Sequence, residues 1–240
     1  MSCAPRRCTT FSPMPPEFAG GEILAGFQAL AFDPERCRQD LAAFEALLAG
    51  APELREKSDI LPFFRAHPHL SLFLGSYDAT LDQYDRLAYE FDLFGDFKPD
   101  VVVGDWGTKR YCFVEFEDAF TDSVFQRVAR QTTAWAPRFE KGFSQIIDWF
   151  WLMESNQDTE RFESKFGKRR IDASALLVVG RDSGVSRGDR LRLEWRRKNV
   201  VVNSQKVFCC TFDELLRGLK RKLMVYASVY AAGAAGMDSE

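Results

Sequence analysis

Histidine is almost missing from this 240-residue chain, which has only His67 and His69, on either side of Pro68 in the stretch AHPHL. A catalytic triad built on histidine, or a zinc site with histidine ligands, therefore has little raw material. The pair reads instead as a helix end with partly packed rings. The six cysteines (Cys3, Cys8, Cys37, Cys112, Cys209 and Cys210) form no CxxC pair. Two of them are adjacent in an apolar run, where a mutual disulfide would be strained, so free thiols in a reducing cytoplasm are expected. The opening MSCAPRRCTTFSPMPPEF lacks the apolar core of a signal peptide, and no uncharged apolar run reaches membrane-spanning length. These absences predict a cytoplasmic protein with no membrane partner. An excess of positive charge is missing as well. The net charge of -3 and pI of about 5.6 exclude a generally basic nucleic-acid coat and leave room for a local basic patch.

What is present is apolar residue in quantity, 46% of the chain, enough for a sizeable core. Residues 34–49 carry Leu41, Phe44, Leu47 and Leu48 at helical spacing, with Gly50 as a stop. The following ELREKSDILPFFRAHPHLSLFLGS reads as a second helix, interrupted near Pro62 and ended by Pro68. From Leu87 the pattern changes to strand, turn and strand: KPDVVVGD, a turn at Asp105 to Gly107, then GTKRYCFVEFEDA. The GDWGTK between them lacks the spacing of a phosphate-binding loop and reads as a hairpin turn. An aromatic-rich helix (RFEKGFSQIIDWFWLMES), a buried strand (RIDASALLVVGRD), a basic helix (SRGDRLRLEWRRKN), one or two strands (VVVNSQKVFCCTF) and a last helix from Asp213 to Tyr226 follow. This alternation predicts an α/β (α+β) fold with a mixed central sheet flanked by helices. Its expected divisions are a helical N-terminal region over 1–85, a sheet domain over 86–228 and a flexible tail over 229–240.

The residues that point to chemistry are acids. In FVEFEDAF, Glu115 and Glu117 share one face of a strand, while Val114 and Phe116 take the other. A hairpin would bring Asp100, just after Pro99, to the same end of the sheet. Three carboxylates together call for a cation, a shared proton or water. Such hard oxygens suit Mg²⁺ or Mn²⁺. The plainer alternative is a solvated strand face, with Asp100 capping a turn.

KPDVVV…FVEFE resembles the Asp…Glu-x-Lys core of PD-(D/E)xK nucleases, and FSQIIDWFW resembles the Gln-Ile-x-Asp-Trp helix of the Shedu antiphage-defence family. With FFRAHPHLSLFLGS as a similar helical lead-in, the resemblance covers roughly residues 60–215. It implies a restriction-endonuclease-like domain that hydrolyses DNA with Mg²⁺ or Mn²⁺. Asp100 and Glu115 would be metal ligands, Gln145 a polar residue turned toward the site, and Glu90 an additional upstream acid. The chain departs from the pattern at Glu117, where the family's lysine falls. A carboxylate cannot supply that positive charge; the resemblance suggests that a second metal held by Glu117 takes its place, or that Glu117 accepts the proton of the attacking water. The alternative is a catalytically silent module that binds nucleic acid or a partner protein.

DNA contact needs cations. Arg187, Arg190, Arg192, Arg196, Arg197 and Lys198 on the basic helix, with Lys168, Arg169 and Arg170 before it, could track a phosphate backbone or could form a solvated face. The apolar circumference of IIDWFWL and the family resemblance together predict a homo-oligomer.

Overall fold

In this computed structural model of the chain, the described residues are 23–24, 26–129, 132–202 and 205–237; Cys3, Cys8 and the Pro-rich start lie outside them. Helix α1 (Pro34–Gly50) begins where expected. Pro34 presets its first turn, and the Asp33 carboxylate accepts from the N–H groups of Glu35 and Arg36 at 2.9 and 3.1 Å. Cys37, Leu41, Phe44 and Leu48 repeat at three- and four-residue steps and are buried.

The next segment differs from the sequence reading. It opens as one wide π-type turn (Glu56–Ile60), runs into α2 (Leu61–Ala66), and continues as α3 (Pro68–Phe73) and a short 3-10 turn (Leu74–Tyr77). Both prolines sit in the first turns of helices instead of interrupting or ending one. A proline lacks only an N–H that the first turn cannot use. The histidines flank this junction: His67 stacks on Phe63, and buried His69 accepts from the Asp33 N–H through Nδ1 at 3.2 Å.

Eight strands form the main sheet. β1 (Ile23–Leu24), β2 (Phe27–Ala29), β3 (Arg86–Tyr89), β4 (Val101–Asp105) and β5 (Arg110–Phe116) are successive antiparallel neighbours. The expected hairpin is β4 and β5, with its turn at Trp106 to Lys109. After β5 the chain makes a separate two-stranded ribbon of β6 (Phe125–Ala129) and β7 (Thr132–Trp135), then α4 (Pro137–Asn156) and α5 (Glu160–Phe166). It returns as β8 (Asp172–Val178), parallel to β5. α6 (Arg187–Asn199), β9 (Val201–Val202) and β10 (Gln205–Cys210) follow, with β10 parallel to β8. The last helix, α7 (Phe212–Met237), runs beyond the expected end at Tyr226.

Alternation along the strands sends side chains to two cores. Val101, Val103, Cys112, Val114 and Phe116 pack with α1, α2, α3 and α7. Val102, Tyr111, Phe113, Ala175 and Leu177 pack with α4, α5 and Leu193 of α6. The mixed sheet flanked by helices is thus the expected fold. The four cysteines among the described residues are buried and unbridged.

Gly142 sets how closely α4 lies on the sheet. A Cβ there would stand 2.7 Å from Leu177 Cδ1 and 3.2 Å from Glu117 Cγ. Glycine-to-alanine changes inside helices ordinarily add stability. Gly142→Ala should instead cost about 1–3 kcal/mol through overpacking. A denaturant melt checks this, and an unchanged or raised midpoint would contradict the close packing.

Candidate active site

The C-terminal end of β5 and the start of β4 meet at one end of the sheet. The register that pairs Val101 with Val114 brings Asp100 opposite Glu115 one step further along. Asp100 Oδ2 accepts from the Phe116 N–H at 2.7 Å, which ties the segment before β4 to the end of β5. Glu115 is in phase with Tyr111 and Phe113 and so faces the α4 side of the sheet. Both carboxylates are deep, with Asp100 7% and Glu115 4% exposed.

Helix α4 supplies the opposite wall. Arg138, Lys141, Gly142 and Gln145 recur at three- and four-residue steps, which puts them on one stripe. Gly142 lets that stripe approach Glu117. Lys141 donates from Nζ to Glu117 Oε1 at 2.8 Å, and Arg138 stands 3.8 Å from Glu117 Oε2 and 2.7 Å from Asp118 Oδ2. Glu117 itself is completely buried.

A cleft of about 420 Å³ lies between these walls, lined by Glu56, Lys57, Leu61, Pro62, Arg65, Glu90, Lys98, Asp100, Glu115, Lys141 and Gln145. Of the residues singled out in the sequence, Asp100, Glu115, Gln145 and Glu90 come together here. Glu117 is not part of the lining; its near cations are Lys141 and Arg138 of the chain itself. Glu90 follows β3 in a left-handed conformation (φ 45°), donates its N–H to the Asp100 carbonyl and ion-pairs with Arg65. Sequence reasoning passed over Lys141 and Glu56. Lys141 had a legible signal, since it precedes Gln145 by four residues and so shares its helical face. Glu56 had none: its N–H is anchored by Asp118 Oδ1 at 2.7 Å, a contact 62 residues away in sequence.

The electrostatics follow from this crowding. Burial, then the neighbouring Glu56, Glu117 and Glu90, push Asp100 up to about 7 against the lowering effect of the Phe116 N–H. Burial, then Asp100, Glu117 and Glu56, hold Glu115 well above the usual carboxylate range. Glu56 is raised as well, by burial and then by Glu117. Burial works against the Lys141 charge, but the hydrogen bond and charge of Glu117, with Glu56 and Glu115, outweigh it and keep the ammonium more firmly protonated than usual.

The donor set fits a hard divalent cation. Glu115 Oε2, Glu117 Oε2 and Gln145 Oε1 are buried without hydrogen-bond partners, although Arg138 stands 3.8 Å from the Glu117 oxygen. Unpartnered buried oxygens beside a second carboxylate are costly unless a cation or proton joins them. Among the described residues, no group of three or more His, Cys, Asp and Glu side chains is gathered so as to hold a metal ion. Two carboxylates are what an ion such as Mg²⁺ uses when it keeps several waters.

The expected nucleic-acid contacts are mostly engaged within the fold. Arg190 and Arg197 pair with Glu214, and Arg192 pairs with Asp189. Arg196 grips Glu140 with two nitrogens and lies 4.2 Å from the Phe143 ring centre. Arg169 and Arg170 pair with Glu163 and Asp158. Arg187, Lys198 and Lys168 make no ion pair among the described residues.

Fold and cleft together define a mixed α/β protein with an acid and lysine site at one end of its sheet. Residues 54–216 match the family described as Shedu protein SduA, C-terminal. That is more than half of the chain, and the chain belongs to this family. No curated protein matches it significantly. No helix among the described residues is long and apolar enough to cross a membrane.

Because Glu115 is buried beside Asp100, its neutral isostere should relieve repulsion in metal-free protein. Glu115→Gln is expected to raise stability at pH 8 by about 1–3 kcal/mol. The sign with pH follows from Asp100, raised from 3.8 to about 7. The folded state takes up protons more readily than the unfolded, so wild-type stability falls as pH rises toward and through 7. The advantage of Glu115→Gln should therefore shrink at pH 5. Thermal melts in chelator at both pH values check this, and a variant less stable than wild type at pH 8 would contradict the repulsion.

Proposed function

We propose that the chain is a divalent-metal-dependent nuclease that hydrolyses phosphodiester bonds of DNA in antiphage defence. Membership of the Shedu family supports the defence role. The observation that carries the chemical reading is the meeting of Asp100, Glu115, Gln145 and Lys141 in one cleft, with buried oxygens of Glu115 and Gln145 left without partners.

Asp100 and Glu115 would hold Mg²⁺ or Mn²⁺. When bound, such an ion polarises the phosphate and makes its water a stronger nucleophile near neutral pH. Gln145, on the α4 wall, offers an amide to orient water or substrate. Lys141 presents an ammonium to the charge that builds on the scissile phosphate. Glu117 keeps that ammonium placed. In this arrangement the Oε1 oxygen of Glu117 serves the lysine, and the positive charge missing at position 117 comes from α4. Glu90, paired with Arg65, shapes the near wall.

A second reading has one observation in its favour. The Lys141 ammonium is already matched by a carboxylate, as it would be in a silent module that binds nucleic acid or a partner protein. Self-association into a homo-oligomer is a further part of the proposal. Ile147 and Trp151 stand exposed on α4, Trp151 at 63%.

Calorimetry with Mn²⁺ and a cleavage assay on linear and circular DNA separate the readings. Wild-type protein is expected to bind the ion and cut, and Asp100→Asn to do neither. Lys141→Ala should still bind Mn²⁺ but cut about a hundredfold more slowly, with Lys141→Arg recovering part of the rate. DNA binding without cutting under any divalent ion would favour the silent module. Cutting by Asp100→Asn at the wild-type rate would remove the proposed site altogether.

A further inference from the structure

Two lysines at the mouth of the cleft have no acid to answer them, while the exposed Glu90 is taken up by Arg65 and Glu56 is half-buried. The acids that face each other, Asp100 and Glu115, are buried, whereas Lys57 and Lys98 on the same lining are exposed and the Lys141 side chain is 60% exposed. Arg65, also exposed, is held by Glu90. Lys57 and Lys98 make no ion pair or side-chain hydrogen bond among the described residues. The two come from distant parts of the chain, the π-type turn and the segment before β4, and meet only because the fold closes them on one cleft.

On α6 the opposite holds. There Arg190, Arg192, Arg196 and Arg197 are each neutralised by an acid. A guanidinium already matched by a carboxylate releases no counterion when a phosphate approaches, unless it first gives up its partner. An unpaired surface lysine does so directly.

We propose that Lys57 and Lys98 form a phosphate-binding rim that seats a nucleic-acid backbone over the cleft, in place of the basic helix. Lys57 and Lys98 offer two unpaired charges at the mouth, beside the mutually neutralised Arg65 and Glu90, and the buried Asp100 and Glu115 sit below them. A backbone seated on Lys57 and Lys98 places one phosphate above Asp100 and Glu115, with Lys141 at its side. The inference rests on the nuclease reading for its purpose but not for its test.

The test is DNA affinity of the full chain as a function of salt, using a labelled duplex and a labelled single strand of arbitrary sequence. Ca²⁺ replaces Mg²⁺ so that binding is read without turnover. The double variant Lys57→Ala, Lys98→Ala should flatten the slope of log affinity against log salt by about 1.8 on duplex or about 1.4 on a single strand, and lower affinity about tenfold or more at moderate salt. Both side chains are exposed, so its melting temperature should match wild type. Arg187→Ala, Lys198→Ala removes the unpaired cations of α6 and should leave the slope unchanged. An unchanged slope in the Lys57, Lys98 variant, or a loss that falls on the Arg187, Lys198 variant instead, would overturn the inference. A chain that binds through Lys57 and Lys98 yet never cuts DNA would leave the rim standing and remove the nuclease reading.

Discussion

Glu117 is a carboxylate with no exposed surface, and the arrangement of the whole cleft depends on how that charge is accommodated. An isolated ion in such a place would cost several kcal/mol or give up its charge. The fold answers by laying α4 against the sheet at Gly142, which brings Lys141 and Arg138 to the two carboxylate oxygens. The same contact sets the rotation of α4 about its axis. Once Lys141 is fixed, Gln145 must face the cleft one turn later, and Phe139, Phe143 and Ile146 must face the core. One buried ion pair therefore links packing and chemistry.

The remaining acids have no such answer from the chain. Asp100 and Glu115 repel each other where both are buried at the foot of the cleft, and Glu56 adds to the repulsion from a third direction. A fold selected for stability alone would place amides there. Keeping carboxylates at that point makes sense where the cleft works on a cation together with a polyanion. Lys57 and Lys98, exposed and without an ion pair, stand at the mouth of the same cleft. Glu90, in a left-handed conformation that a non-glycine residue adopts only under constraint, lies at the same place.

Much of this was legible in the sequence, for reasons that local physics explains. The β4 and β5 hairpin follows from alternation and a short turn, which is enough to expect the carboxylates at one end of the sheet; the register that sets Asp100 opposite Glu115 is seen in the fold. The helix carrying Gln145 followed from its apolar period. What stayed hidden was long-range. Whether an arginine on α6 is free depends on Glu140 and Glu214, which lie 56 and 17 residues from their partners. No periodicity reports that. Pro62 and Pro68 look like breakers in the sequence because a proline's place within a helix is ambiguous until the chain's path is known. Lys141 stands one helical turn before Gln145 in the sequence, but that its ammonium reaches Glu117 depends on how closely α4 lies on the sheet at Gly142.

The central claim is that Asp100 and Glu115 hold a divalent cation while Glu117 holds a lysine. Anomalous diffraction from crystals grown with Mn²⁺ tests it most directly. The account predicts a peak between the Asp100 and Glu115 carboxylates, beside Gln145, with Lys141 still bonded to Glu117. A map with no peak there, or one in which Glu117 has left Lys141 to coordinate the ion, would contradict it.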